Sequence, residues 1–224
     1  KQESDDYQKT VDSLVESKYR QKVSEVRSTY NRQIDELTAV ERSKRNDAIV
    51  AFESFIAKHP TNEKYTPDAL FRLAELYFEK SNDDFLLADD EYQAQMALYE
   101  RGKIPDQPPL PTRNYDNTIS TFRKLINNWP EYRLLDGAYY LLAYCELQQG
   151  NDEEAKDLFL ALIDKRPDSE FVPEAWIRIG EYYFDLADLE NAREAYAKSM
   201  EYSNSRFYDK ALYKLAWSYY RIDR

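Results

Sequence analysis

Four stretches of this chain lie on one another. "DALFRLAELYF", "GAYYLLAYCEL", "EAWIRIGEYYF" and "KALYKLAWSYY" put Ala69, Ala138, Ala175 and Ala211 in one register. The later gaps are 175 − 138 = 37 and 211 − 175 = 36 residues. Self-similarity at such a period is the strongest constraint a sequence can carry, because a unit that small cannot enclose a core and must lean on its neighbours. The first gap is 138 − 69 = 69 residues, about two periods, with only one unit's worth of pattern inside it. An insertion of roughly 32 residues (69 − 37), from about Ser81 to Thr112, is therefore expected within one unit.

A second motif alternates with the first: "AIVAFESFIAKHP", "TISTFRKLINNWP" and "EAKDLFLALIDKRP". Each sets a small or polar residue, an aromatic four on and an apolar residue three further on one helical stripe, as in Ala48, Phe52 and Phe55 or Ala155, Phe159 and Leu162. Proline then ends the helix by removing an N–H donor and clashing with the preceding turn, at Pro60, Pro130 and Pro167. A last copy, Ala192, Tyr196 and Ser199, has Asn204 where proline is expected. Each unit reads as helix, turn, helix. With four glycines in 224 residues, few tight hairpins are possible, and the expected fold class is all-α.

The pattern resembles the tetratricopeptide repeat, whose signature W-x2-L-G-x2-Y, then A-x3-F, then P is met by Trp176, Ile179, Gly180, Tyr183, Ala192 and Tyr196. The preceding unit matches through Tyr139, Leu142, Ala143, Ala155, Phe159 and Pro167, with Glu146 where tyrosine is usual. Leu70, Leu73, Ala74 and Tyr77 open an earlier unit that resumes at Thr118, Phe122, Leu125 and Pro130, and Leu212, Leu215, Ala216 and Tyr219 open a last one. The resemblance covers residues 42–224 and implies an α-solenoid of helix-turn-helix repeats, with the last repeat incomplete. It carries the expectation of a longer protein, or of another chain over that end. Small residues Ala74, Ala143, Gly180 and Ala216 stand where paired helices must approach closely.

In this family one helix face lines a concave surface. The corresponding positions are Phe71, Glu75 and Phe78; Tyr140, Tyr144 and Leu147; Ile177, Glu181 and Phe184; and Tyr213, Trp217 and Tyr220, with Arg72, Arg178 and Lys214 interspersed. Rings among charges suit a groove for a peptide or partner protein, since they give contact area at low entropy cost. The competing expectation for any one ring is inter-repeat core, because the two faces merge at about 3.6 residues per turn.

Composition excludes other classes. One histidine, His59, and one cysteine, Cys145, leave no His-based triad, Cys/His zinc site or intrachain disulfide, so no enzyme, cofactor or metal is expected. The formal charge of −11 falls wholly on residues 60–224, since residues 1–59 carry 11 cations and 11 anions. An acidic surface disfavours nucleic acid. No apolar run reaches the roughly 20 residues of a membrane span.

Residues 1–41 read as a long amphipathic helix, with Val23, Val26, Tyr30, Ile34 and Leu37 continued backwards by Tyr19, Val15, Val11 and Tyr7. It is expected either to cap the first repeat or to pair as a coiled coil, giving a possible homo-oligomer. Within the insertion, Phe85, Ala88, Tyr92, Met96 and Tyr99 form a stripe closed by Gly102, either prolonging the preceding helix or forming its own. "IPDQPPLP", Ile104 to Pro111, reads as an extended return strap, its P-x-x-P spacings also compatible with an SH3-like partner.

The period and joints such as "LIDKRPDSEFVPEAW" resemble bacterial cell-envelope tetratricopeptide proteins. That resemblance implies a non-catalytic periplasmic scaffold in an envelope complex; the alternatives are a cytoplasmic scaffold and a structural oligomerisation module built on the first helix and the insertion.

Overall fold

The computed structural model describes residues 2–222 in backbone, and the side chains of residue 11 and residues 13–221. Among the described residues every regular element is an α-helix: α1 Gln2–Lys58, α2 Thr66–Glu100, α3 Asp116–Asn128, α4 Leu135–Gln148, α5 Asp152–Lys165, α6 Val172–Asp185, α7 Leu189–Met200 and α8 Tyr208–Ile222. The chain divides into two units, residues 1–48 and 49–224.

The first unit is the N-terminal part of α1. Every described side chain from residue 13 to residue 37 is exposed, including the apolar stripe; the side chain of Tyr7 lies outside the described residues. The packing expected of that stripe is taken up further along α1, inside the second unit. There Ile49 and Ile56 are buried with α2 and α3, flanked by Phe52 and Phe55.

The second unit is a stack in which α2 pairs with α3, α4 with α5 and α6 with α7, each helix also packing on the next, and α8 on α7. The proline stops act as anticipated: α1, α3 and α5 end at Lys58, Asn128 and Lys165, two residues before Pro60, Pro130 and Pro167. Pro67 and Pro173 stand in the first turns of α2 and α6, where a missing N–H has no intrahelical partner to lose. The turn after α4 uses Gly150 at φ 79°, and the equivalent turn after α6 forces Ala187 to φ 60°, a left-handed conformation that costs a residue with a Cβ about 1 kcal/mol.

The close-approach residues behave as their size demands. Ala74 and Ala143 are fully buried. A Cβ on Gly180 would lie 2.4 Å from the Tyr196 ring, so α6 and α7 meet at a distance only glycine allows. Ala216 is exposed, because nothing in the described chain pairs with α8 as α7 pairs with α6. Tyr196 is itself fully buried, and its hydroxyl has no partner among the described residues. Burial, aided by the charges of Glu181 and Asp185, pushes its phenol well above the usual range. Tyr196→Phe is therefore expected to raise unfolding free energy by about 1 kcal/mol, read from urea titration, because it removes a desolvated hydroxyl and keeps the ring on Gly180. A loss of similar size would show that the hydroxyl has a partner.

The insertion prolongs α2 by about six turns. Phe85, Tyr92 and Met96 of its anticipated stripe are half-buried, whereas Ala88 and Tyr99 are exposed. The helix ends at Glu100 and is closed by a turn through Gly102, φ 66°, whose N–H donates to the Tyr99 carbonyl at 2.8 Å. Residues 107–115 return without regular structure. The Arg113 guanidinium lies 4.0 Å from the Phe85 ring centroid, and Tyr115 is buried, stacked on Phe78 at 5.4 Å and donating its hydroxyl to Asn82 Oδ1 at 2.7 Å.

Candidate functional site: the wall of alpha4, alpha6 and alpha8

The anticipated groove residues separate into three groups. Phe71 and Ile177 are core and leave the candidate surface. Phe71 packs edge-on against Phe122 at 5.7 Å and lies within 3.4 Å of where a Cβ on Gly137 of α4 would stand; Ile177 is wholly buried in a cluster with Tyr196 and Ala211. The physical reason is registry. One step from the inter-helix stripe, a side chain on α2 or α6 is covered by the next first-of-pair helix.

A second group is half-covered by the chain itself. Phe78 sits under Tyr115 and meets Tyr144 edge-on at 5.9 Å. Tyr140 stacks on Phe171 at 4.6 Å and donates its hydroxyl to Glu174 at 2.9 Å. Burial first, then the bond to Glu174, pushes the Tyr140 phenol up to about 12. On α2, Arg72 and Glu75 form an ion pair of 2.6 Å at the surface.

The third group forms a cleft of about 330 Å³ lined by Leu147 of α4, Asp152 of α5, Arg178, Glu181, Tyr182, Phe184 and Asp185 of α6, the following Leu186, and Lys214 of α8. Its polar floor is a network. Arg178 donates to buried Glu174 at 2.9 Å and to Glu181 at 3.1 Å, and Lys214 and Lys210 reach Glu181 at 3.0 and 3.3 Å. Burial opposes ionisation of Glu181, but the hydrogen bond from Lys214 and the charges of Lys210, Lys214 and Arg178 outweigh it and hold the carboxyl below its ordinary value. For Arg178, burial works against the charge, and Glu181 and Glu174 overcome it. Within this network three cations share two carboxylates, while Asp152 and Asp185 add acidic groups to the lining of the cleft. Tyr213, Trp217 and Tyr220 of α8 make an exposed ring cluster, centroids 6.3 and 5.4 Å apart, which with Ala216 lines an open surface depression of about 300 Å³. The Arg221 guanidinium lies 4.8 Å from the Phe184 ring.

Sequence reasoning missed Glu174 and Lys210. Both were readable: Glu174, Arg178 and Glu181 follow one another at steps of four and three, and Lys210 precedes Lys214 by four, so each set shares a helix face. Tyr115 had no such signal, because it stands at the end of a non-periodic strap.

This geometry is that of a helical-repeat protein, and the chain belongs to the tetratricopeptide repeat family: family profiles described as tetratricopeptide repeat match residues 68–132, 137–169 and 173–206. No curated protein matches the chain. Among solved structures, a crystal structure of MamA protein is similar with a TM-score of 0.52 at 16% identity, covering 80% of this chain and 73% of that one. A second MamA crystal structure gives 0.47 at 14% identity over 81% and 91% of the two chains. A Podosopora anserina chain of nearly identical TPR-like repeats, of kinesin-light-chain type, gives 0.47 at 12% identity over 80% and 79%. No helix among the described residues is long and apolar enough to cross a membrane.

Proposed function

We propose that this chain is a non-catalytic scaffold that holds a peptide or helical segment of a partner protein along the wall formed by α4, α6 and α8. The observation that carries the reading is the juxtaposition of a half-buried charged cleft at Arg178, Glu181 and Lys214 with the exposed rings of Tyr213, Trp217 and Tyr220. Large rigid rings beside pre-formed charges give a guest both contact area and orientation without ordering the host first. Membership of a family whose repeats generally mediate protein–protein interaction supports the same reading. The partner is taken to belong to a bacterial envelope complex, with the chain in the periplasm, on the likeness of the repeat period and of the joint "LIDKRPDSEFVPEAW" to envelope scaffolds.

The test is a double substitution, Tyr213→Ala with Trp217→Ala. Both side chains are exposed, so the fold should be unaffected, while loss of two ring anchors should weaken a partner about 10- to 100-fold or more. Crosslinking with mass spectrometry in the native host would identify the partner, and titration of the purified pair would measure the loss. A partner held equally well by the variant would remove the wall from the interaction.

A further inference from the structure

We propose that the apolar stripe of α1 is covered by the same stripe of a second copy of this chain, forming a two-helix junction between copies. On one chain these side chains are bare: Tyr19 and Leu37 are each 69% exposed and Val26 44%. Their spacing is the first argument for what covers them. Val15, Val26 and Leu37 recur every 11 residues, as do Tyr19 with Tyr30 and Val23 with Ile34. Eleven residues make about three helical turns, so the stripe holds one face of a nearly straight helix instead of winding round it, and two such helices stay in contact with a slight right-handed supercoil. Equivalent layers carry like residues, which makes the stripe complementary to itself.

Charge is the second argument. Residues 1–59 carry 11 cations and 11 anions, so two copies of α1 meet without net repulsion, whereas residues 60–224 carry 20 against 31. Two of the flanking cations pair along their own helix, Arg20 with Glu16 and Lys22 with Glu25, beside the apolar stripe. Flanks of both signs also separate this helix from the cation-rich kind that lies on a lipid surface. Extent is the third. From residue 15 to residue 37 the stripe runs roughly 33 Å. Seven apolar side chains from each of two copies would bury on the order of 1,000 Å², the lower edge of a specific interface.

Sedimentation equilibrium of residues 1–224 from about 1 to 100 µM tests this. The expected mass at the upper end is twice the 26.6 kDa of one chain, falling to 26.6 kDa for Val26→Glu with Ile34→Glu at unchanged far-UV circular dichroism per residue. Tyr213→Ala with Trp217→Ala should keep the double mass, so the junction and the partner-binding wall fail independently. A wild-type chain at 26.6 kDa throughout, a mass of three or more copies, or a double mass that survives the glutamate substitutions would each overturn the proposal.

Discussion

Phe159→Ala is expected to destabilise the repeat stack by about 3–5 kcal/mol. Phe159 of α5 is 2% exposed and belongs to a cluster that includes Ala143 of α4 and Val172, Ala175 and Ile179 of α6. It therefore serves both the α4–α5 pair and the junction to the next pair. In a stack where each unit is held by its neighbours, weakening a middle unit weakens two junctions at once. Urea titration followed by circular dichroism should show an earlier midpoint and, with the two ends uncoupled, a shallower or split transition. Phe159→Leu, which keeps most of the volume, should lose less than half as much. A cost below about 1 kcal/mol for the alanine variant would mean that the site collapses without a cavity, and that Phe159 is no keystone.

Arg123→Ala carries the second large expectation, a loss of about 2–4 kcal/mol, because it strands a carboxylate in the interior. Glu146 is 3% exposed and accepts from Arg123 at 2.7 Å on one oxygen and from Asn151 at 2.7 Å on the other. Arg123 also reaches Glu154 at 3.0 Å, and its guanidinium is held above its ordinary pKa chiefly by the hydrogen bond to Glu146. Removing the buried member as well should reverse most of the damage. Arg123→Met with Glu146→Tyr puts the family's usual tyrosine back and exchanges an ion pair for apolar packing, which is often neutral or favourable. Thermal unfolding should place the single variant roughly 5–12 °C below wild type and the double variant close to it. A double variant as unstable as the single one would show that Glu146 is retained for its packing shape and not for its charge partner.

The departure at Glu146 illustrates how far the sequence could be read. The repeat register was legible because its cause is local. Ala69, Ala138, Ala175 and Ala211 repeat on a period, the prolines end helices by steric necessity, and Gly180 sits where the Tyr196 ring leaves no room for a Cβ. Which side chain answers Glu146 was not legible, because Arg123 comes from the preceding pair and no spacing rule connects residues 23 apart. The wall was partly legible for the same reason. Period alone puts Phe71, Ile177, Glu181 and Tyr213 near one face. Phe71 and Ile177 are covered because another first-of-pair helix follows theirs, α4 and α8, whereas none follows α8 among the described residues and Tyr213 is bare there. Along α1 the packing onto α2 and α3 falls to Ile49 and Ile56, which at 3.6 residues per turn lie roughly 80–100° round the helix from the stripe that the tyrosines mark, so the periodicity of residues 7–37 did not point to them.

The hydrogen bond from Tyr115 to Asn82 closes the long α2 excursion at its base. Whatever lies beyond that pinch is a lariat: its entry and exit are tied together, so adding or trimming length at its far end leaves the spacing between the stacked pairs where it was. The molecule thus has a port at which a domain, a tag or a new recognition element could be grafted while the rest keeps its register.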